Sequence, residues 1–310
     1  MALGPAVRSR RNVLALLAGS ASVALVGCGG EPATARFAGE EEAPATATPP
    51  RPSPTPPAAA TPTPSPTPPP VGRSSRTLLP GTPSETELVI THSGVAGPRL
   101  MVLGGVHGNE PGGWLAAEQV ATWTPSAGSL IVLPRANVQA IAGFVRTTDE
   151  IGDLNRLYPG SLESSLLMER MAAEIVGVAR EFAVDVLLDL HESWAFYAGR
   201  VQDGTAFLGQ TVSSGVGPRN PVLARAIIER TNAGIDVERE LLVERDGRPF
   251  ARNDNTTDPR RGRSSLSLGG HVPGLTPILV EMGQEGQAVE RRVELHLMVA
   301  RATLAELGMA

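Results

Sequence analysis

The chain has 310 residues, 41% of them hydrophobic, and a formal net charge of -5. All 27 basic residues are arginine, which excludes Schiff-base and lysine-nucleophile chemistry, and no basic stripe points to nucleic acid. The single cysteine excludes an internal disulfide and metal sites built on paired cysteines.

Residues 1–28 read as a lipoprotein signal peptide. Arg8, Arg10 and Arg11 form a charged head, and the apolar run from Val13 to Gly27 is shorter than the roughly 20 residues that span a bilayer. Ser9 to Leu14 resembles a twin-arginine signal, with Val13 where phenylalanine is usual. Leu25-Val26-Gly27-Cys28 resembles a bacterial lipobox. Cys28 is therefore expected to carry lipid and to hold the exported protein on the outer face of a membrane. Residues 29–76 are expected to be a Pro- and Thr-rich tether, typified by Thr61-Pro62-Thr63-Pro64-Ser65-Pro66, whose composition favours extended polyproline II.

Residues 77–310 are expected to form one domain. Strands are predicted at Glu87 to His92, Leu100 to Gly104, Leu130 to Pro134, Val184 to Leu190 and Pro277 to Met282. Helices are predicted at Pro111 to Trp123, Ser164 to Phe182, Pro221 to Asn232 and Ala288 to Leu307. This alternation predicts an α/β fold with a mostly parallel sheet and helices on both faces. The polar segment from Glu244 to Gly270 reads as a long loop.

The glycine-rich stretch Gly104 to Gly113 follows a predicted strand and precedes a helix, where open α/β sheets place their sites. His107 and Glu110 in it form an H-x-x-E pair that can point an imidazole and a carboxylate at one divalent metal. The strand ending Asp189-Leu190-His191 puts a second imidazole at a carboxyl end. Two histidines and a glutamate with an open position are a catalytic zinc arrangement, so one zinc ion per chain is expected. Glu281, at the end of another strand, is a candidate general base for the attacking water. Asp189 is either a partner of the His191 ring or a strand-end acid held by backbone groups. Glu192 points to the other face if the strand persists, and His92, His271 and His296 have no ligand-like context.

The ordered set H-x-x-E, Pro134-Arg135-Ala136-Asn137, Arg146, Asp153-Leu154-Asn155-Arg156-Leu157-Tyr158-Pro159-Gly160, Asp189-Leu190-His191 and Glu281 resembles the succinylglutamate desuccinylase/aspartoacylase family. That family is related to the zinc carboxypeptidases and shares their three-layer α/β/α sandwich. The resemblance implies that His107, Glu110 and His191 hold zinc and that Asp153 orients the His107 ring. It further implies that Arg146 stabilises the oxyanion, that Asn155 and Arg156 grip a substrate carboxylate, and that Glu281 is the base. The implied activity is hydrolysis of an N-acyl amino acid, which the lipoprotein signal would place on the outer face of the membrane. The alternatives are a carboxypeptidase or amidase acting on peptides such as cell-wall peptides, and a zinc- or substrate-binding lipoprotein without catalysis. Partners would be a small molecule or short peptide with a free carboxylate, and the membrane. Trp194, Tyr197 and the loop Gly262 to Pro273 are where the specificity pocket is expected.

Overall fold

The computed structural model describes residues 70–197, 207–246 and 263–310. The signal segment with Cys28, and the tether up to residue 69, lie outside the described residues, as do residues 247–262 of the long polar segment.

Five apolar stretches and three polar ones build a single eight-stranded sheet. Its strands are β1 (Val71–Leu78), β2 (Thr86–Ser93), β3 (Arg99–Leu103), β4 (Ser129–Leu133), β5 (Val186–Ser193), β6 (Thr211–Ser214), β7 (Val243–Asp246) and β8 (Thr276–Gly283). Their order across the sheet is β1-β2-β4-β3-β5-β8-β6-β7. The central strands β4, β3, β5 and β8 are parallel. The sheet as a whole is mixed, because β2 is antiparallel to β4, β1 to β2, and β6 to β8. The seven residues between β1 and β2 are too few for a parallel crossover, so that pair closes as an antiparallel one.

Helices cover both faces. α1 (Pro111–Val120), α4 (Val222–Asn232) and α5 (Val289–Glu306) lie on one face, and α3 (Leu167–Glu181) lies on the other. Side chains of the parallel strands alternate between the two layers. Leu100 and Val102 of β3 join the α1–α5 layer, and Met101 and Leu103 join the α3 layer. Burial on both faces explains why these strands read as unbroken apolar runs. A short helix, α2 (Val138–Gly143), follows β4 and is started by Asn137, whose side chain accepts from the Ala140 N–H.

Several elements depart from the sequence reading, among them α2 and β6, which lie where no helix or strand was predicted. β1 starts at Val71, inside the segment read as tether, and pairs with β2 along its whole length. Its outward residues are polar and exposed, as befits a sheet edge. β7 occupies the start of the segment read as a loop, and a 3₁₀ turn at Ser265–Gly270 occupies its end. No helix among the described residues is long and apolar enough to cross a membrane.

Candidate metal centre

β3 delivers the chain into a turn that only small residues can make. Gly105 sits at φ +67°, and a Cβ on Gly108 would lie 2.0 Å from the backbone of Ala140. The turn is stitched to its surroundings by Ala136 N–H to Gly104 O, Asn137 N–H to Gly105 O, and Asn109 N–H to Val145 O. It ends at Glu110, the N-cap of α1, with Pro111 in the first helical turn. His107 and Glu110 are thereby fixed against the end of β5, which carries His191.

All three side chains are buried, and their inward atoms converge. His107 Nδ1 lies 2.7 Å from Glu110 Oε1, and His191 Nδ1 lies 2.8 Å from Glu110 Oε2. The two Nδ1 atoms are 3.1 Å apart. Each ring has a carboxylate behind it: His107 Nε2 is 3.2 Å from Asp153 Oδ1, and His191 Nε2 is 2.9 Å from Asp189 Oδ2. When both rings are neutral and donate outward from Nε2–H, two imidazole lone pairs and a carboxylate face one point with no donor among them. A divalent cation satisfies such a set, and outer carboxylates of this kind fix the ligand tautomer. The residues present therefore fit a metal ion.

The electrostatics agree. Burial works against ionisation of Glu110, but the two imidazoles outweigh it and hold its carboxyl well below the usual carboxylate range. Asp153 is likewise lowered, with His107, Arg146 and Arg156 overcoming its burial. His191 is raised well above the ordinary histidine value, because Asp189 and Glu110 outweigh burial.

The other predicted residues surround this cluster. Glu281 of β8 stands in register with His191 of β5 on the same sheet face, and its Oε2 has no hydrogen-bond partner. Burial pushes its carboxyl up to about 7, His191 pulls it down, and Glu110 adds to the rise. Arg135, which could have neutralised Glu281, instead bonds Glu118 and lies over Trp114, 4.8 Å from the ring centre. Arg146 is exposed, with Nη2 3.2 Å from Asp153 Oδ2 and Nη1 3.6 Å from Glu110 Oε1. The Arg156 guanidinium bonds only the Asn155 carbonyl, at 2.8 Å, and has no carboxylate partner among the described residues. Asn155 is buried and its Oδ1 accepts from Ser265 N–H, so one end of that amide anchors the 3₁₀ turn.

Asp189, left open by the sequence, is the His191 partner; its position two residues upstream on one strand face was the available signal. Glu192 does face the opposite layer, where it meets Arg292 of α5, a contact that no sequence pattern announced. His296 also lies in that layer and is fully buried, while His92 bonds Ser129 at the far end of the sheet. Trp194 projects into solvent just beyond β5, and Tyr197 N–H donates to Gly209 O.

Comparison with known proteins extends this picture. Residues 96–195 match the catalytic domain of succinylglutamate desuccinylase/aspartoacylase. No curated protein matches the sequence. Among solved structures, the product-bound cell shape determinant protein Csd4 from Helicobacter pylori superposes with a TM-score of 0.61 at 20% identity. The match covers 73% of this chain and 56% of that one. A succinylglutamate desuccinylase/aspartoacylase from Rhodobacter sphaeroides gives a TM-score of 0.54 at 19% identity, covering 77% and 66% respectively. The product-bound ectoine utilization protein EutE (DoeB) from Ruegeria pomeroyi gives 0.52 at 18%, covering 73% and 61%. The chain thus spans about half to two thirds of the length of these proteins. It resembles the succinylglutamate desuccinylase/aspartoacylase hydrolases in both its ordered motifs and its fold.

Proposed function

We propose that the chain is a zinc-dependent amide hydrolase, an N-acyl amino acid deacylase held on the outer face of a bacterial membrane by lipid on Cys28. The observation that carries this reading is the convergence of His107, Glu110 and His191 beside Glu281, a carboxylate with one unpartnered oxygen. A zinc ion held by His107, Glu110 and His191 would supply Lewis acidity, to polarise a carbonyl and make water nucleophilic near neutral pH. Glu281 takes the proton from the attacking water and passes it to the leaving amine, a role suited to a carboxyl near pH 7. Arg146, at the mouth, stabilises the oxyanion. Arg156, together with Asn155, receives the substrate carboxylate, for which a planar guanidinium is shaped. Asp153 and Asp189 keep each imidazole in the metal-binding tautomer.

A second reading has its own support. The Helicobacter pylori protein of similar fold is a D,L-carboxypeptidase seen with a tripeptide and with mDAP. A carboxypeptidase acting on cell-wall peptides would use the same residues and would suit the signal and tether read in residues 1–76.

One experiment tests both. The purified chain is analysed for metal and then incubated with a mixed N-acyl amino acid and peptide library, and the products are identified by mass. About one zinc per chain and release of free amino acids from N-acyl substrates supports the first reading, and trimmed peptides the second. Loss of zinc in His107→Ala and His191→Ala is expected, since an incomplete ligand set cannot hold the ion tightly. Zinc without turnover of either class would leave only a binding protein.

A further inference from the structure

Beneath the metal centre, in the layer between the sheet and α1 and α5, lies a polar network that the proposed chemistry does not use. Glu192 and Arg292 are both buried there, and Arg292 Nη1 lies 2.5 Å from Glu192 Oε2. The other carboxylate oxygen, Oε1, accepts from Gly112 N–H in the first turn of α1 at 3.0 Å. Gln284, just past β8, donates from Nε2 to Glu192 Oε2 at 3.0 Å and to the Asn109 carbonyl at 2.8 Å. The Glu192 backbone closes the loop, its N–H donating to Glu110 Oε2 at 3.1 Å. Neighbours are packed too tightly for slack, since a Cβ on Gly112 would lie 2.1 Å from Glu192 Oε1.

A buried ion pair is a poor device for stability alone. Desolvation consumes much of its attraction, and well-packed apolar residues often do as well or better. What this pair touches is more informative. The Glu192 carboxylate accepts from Gly112 N–H and from Gln284, Gln284 reaches the Asn109 carbonyl, and the Glu192 backbone N–H reaches Glu110 itself, so the network ends on the residues around Glu110-Pro111. We infer that Glu192, Arg292 and Gln284 are positioning residues for the metal centre, tying the Glu110 turn to β5 and α5 through the sheet so that the three ligand atoms are held in place before the ion arrives. This rests on the reading of His107, Glu110 and His191 as metal ligands.

The test uses the metal-free full chain, titrated with zinc against a chromophoric chelator, with cobalt(II) absorption as a probe of ligand geometry. In Glu192→Leu/Arg292→Leu the charges leave together, so no unpaired charge stays buried. The variant should fold with a metal-free Tm near the native one. Its zinc Kd should be weaker by about 10- to 100-fold, the usual cost of losing groups that orient ligands, and its cobalt spectrum should shift. Glu192→Gln keeps an oxygen for Gly112 N–H and should lose less. A pair that merely stabilises the core would change Tm and leave Kd and spectrum native, which overturns the inference. Should the double variant not fold, Gln284→Ala, at the partly exposed edge of the network, decides: a weakened Kd supports the inference, and a native Kd overturns it. A native chain that binds no zinc would instead remove the proposed function on which the inference rests.

Discussion

Glu281 and His191 stand side by side in the register of two adjacent parallel strands, and one Glu281 oxygen is left without a partner. Backbone pairing, not a loop, fixes their spacing, so the base and the ligand share one rigid frame. Glu281→Gln keeps the size and most of the polarity of the side chain. Zinc content and folding should persist while turnover falls by about 10²- to 10⁴-fold, the usual share of a positioned base. A near-native rate in the zinc-loaded variant would assign the proton to another group.

Arg156 acts on Asp153 only through its charge and makes no contact ion pair among the described residues, so its fork is proposed to receive a substrate carboxylate. Charge-assisted hydrogen bonds of this kind are worth about 1.5–3 kcal/mol. Arg156→Ala should reduce kcat/KM by roughly 10- to 150-fold for substrates with a free carboxylate, and far less for their amides. Lysine should rescue only in part, because a point charge cannot form the fork. Equal losses for acid and amide would make Arg156 a structural residue.

His296 tests the electrostatics of the layer beneath the site. Burial, aided by the charge of His191, lowers it to about 3, against about 6.5 in the unfolded chain. Between these values the unfolded state binds the extra proton, so this group's contribution to stability is lost as pH falls through 6.5. Glu281 and Glu192, both raised to about 7, act in the opposite sense and cancel when native and variant are compared. Relative to His296→Leu, the metal-free native protein should lose up to about 1.4 kcal/mol per pH unit below 6.5. Denaturant unfolding of both chains from pH 7 to pH 5 measures this, and parallel pH profiles would refute it.

The proposed lipid anchor on Cys28 can be tested by substitution. Converting Cys28 to serine should release the protein from the membrane fraction, through loss of buried acyl chains. An uncleaved signal could still act as an anchor, so the mature mass is measured alongside. An unmodified Cys28 in the mature native protein would overturn the lipid anchor.

The readable parts of the fold are those buried on both faces. β3, β4, β5 and β8 appear within three residues of where apolar runs placed them, because continuous burial demands continuous hydrophobicity. β1 and β7 stayed hidden because edge strands carry polar residues such as Arg73, Arg76 and Glu244, which resemble loop. In the site, His107, Glu110 and His191 were legible as ligand types at strand ends, and the structure brings them together. The role of Arg292 was not legible. It depends on α5 crossing under β5 at one height, and nothing local to either segment specifies a pairing across 100 residues.

The crowding of the two Nδ1 atoms against Glu110 has a consequence for how the centre fills. Three lone-pair donors 2.7–3.1 Å apart repel one another unless positive charge lies between them, and Asp189 and Glu110 favour a proton on His191 despite its burial. A cation at the proposed centre would therefore contend with protons for the same atoms, and its entry would expel hydrogen ions into solvent. Apparent affinity should climb with pH, and the heat of loading should vary with the ionisation enthalpy of the buffer.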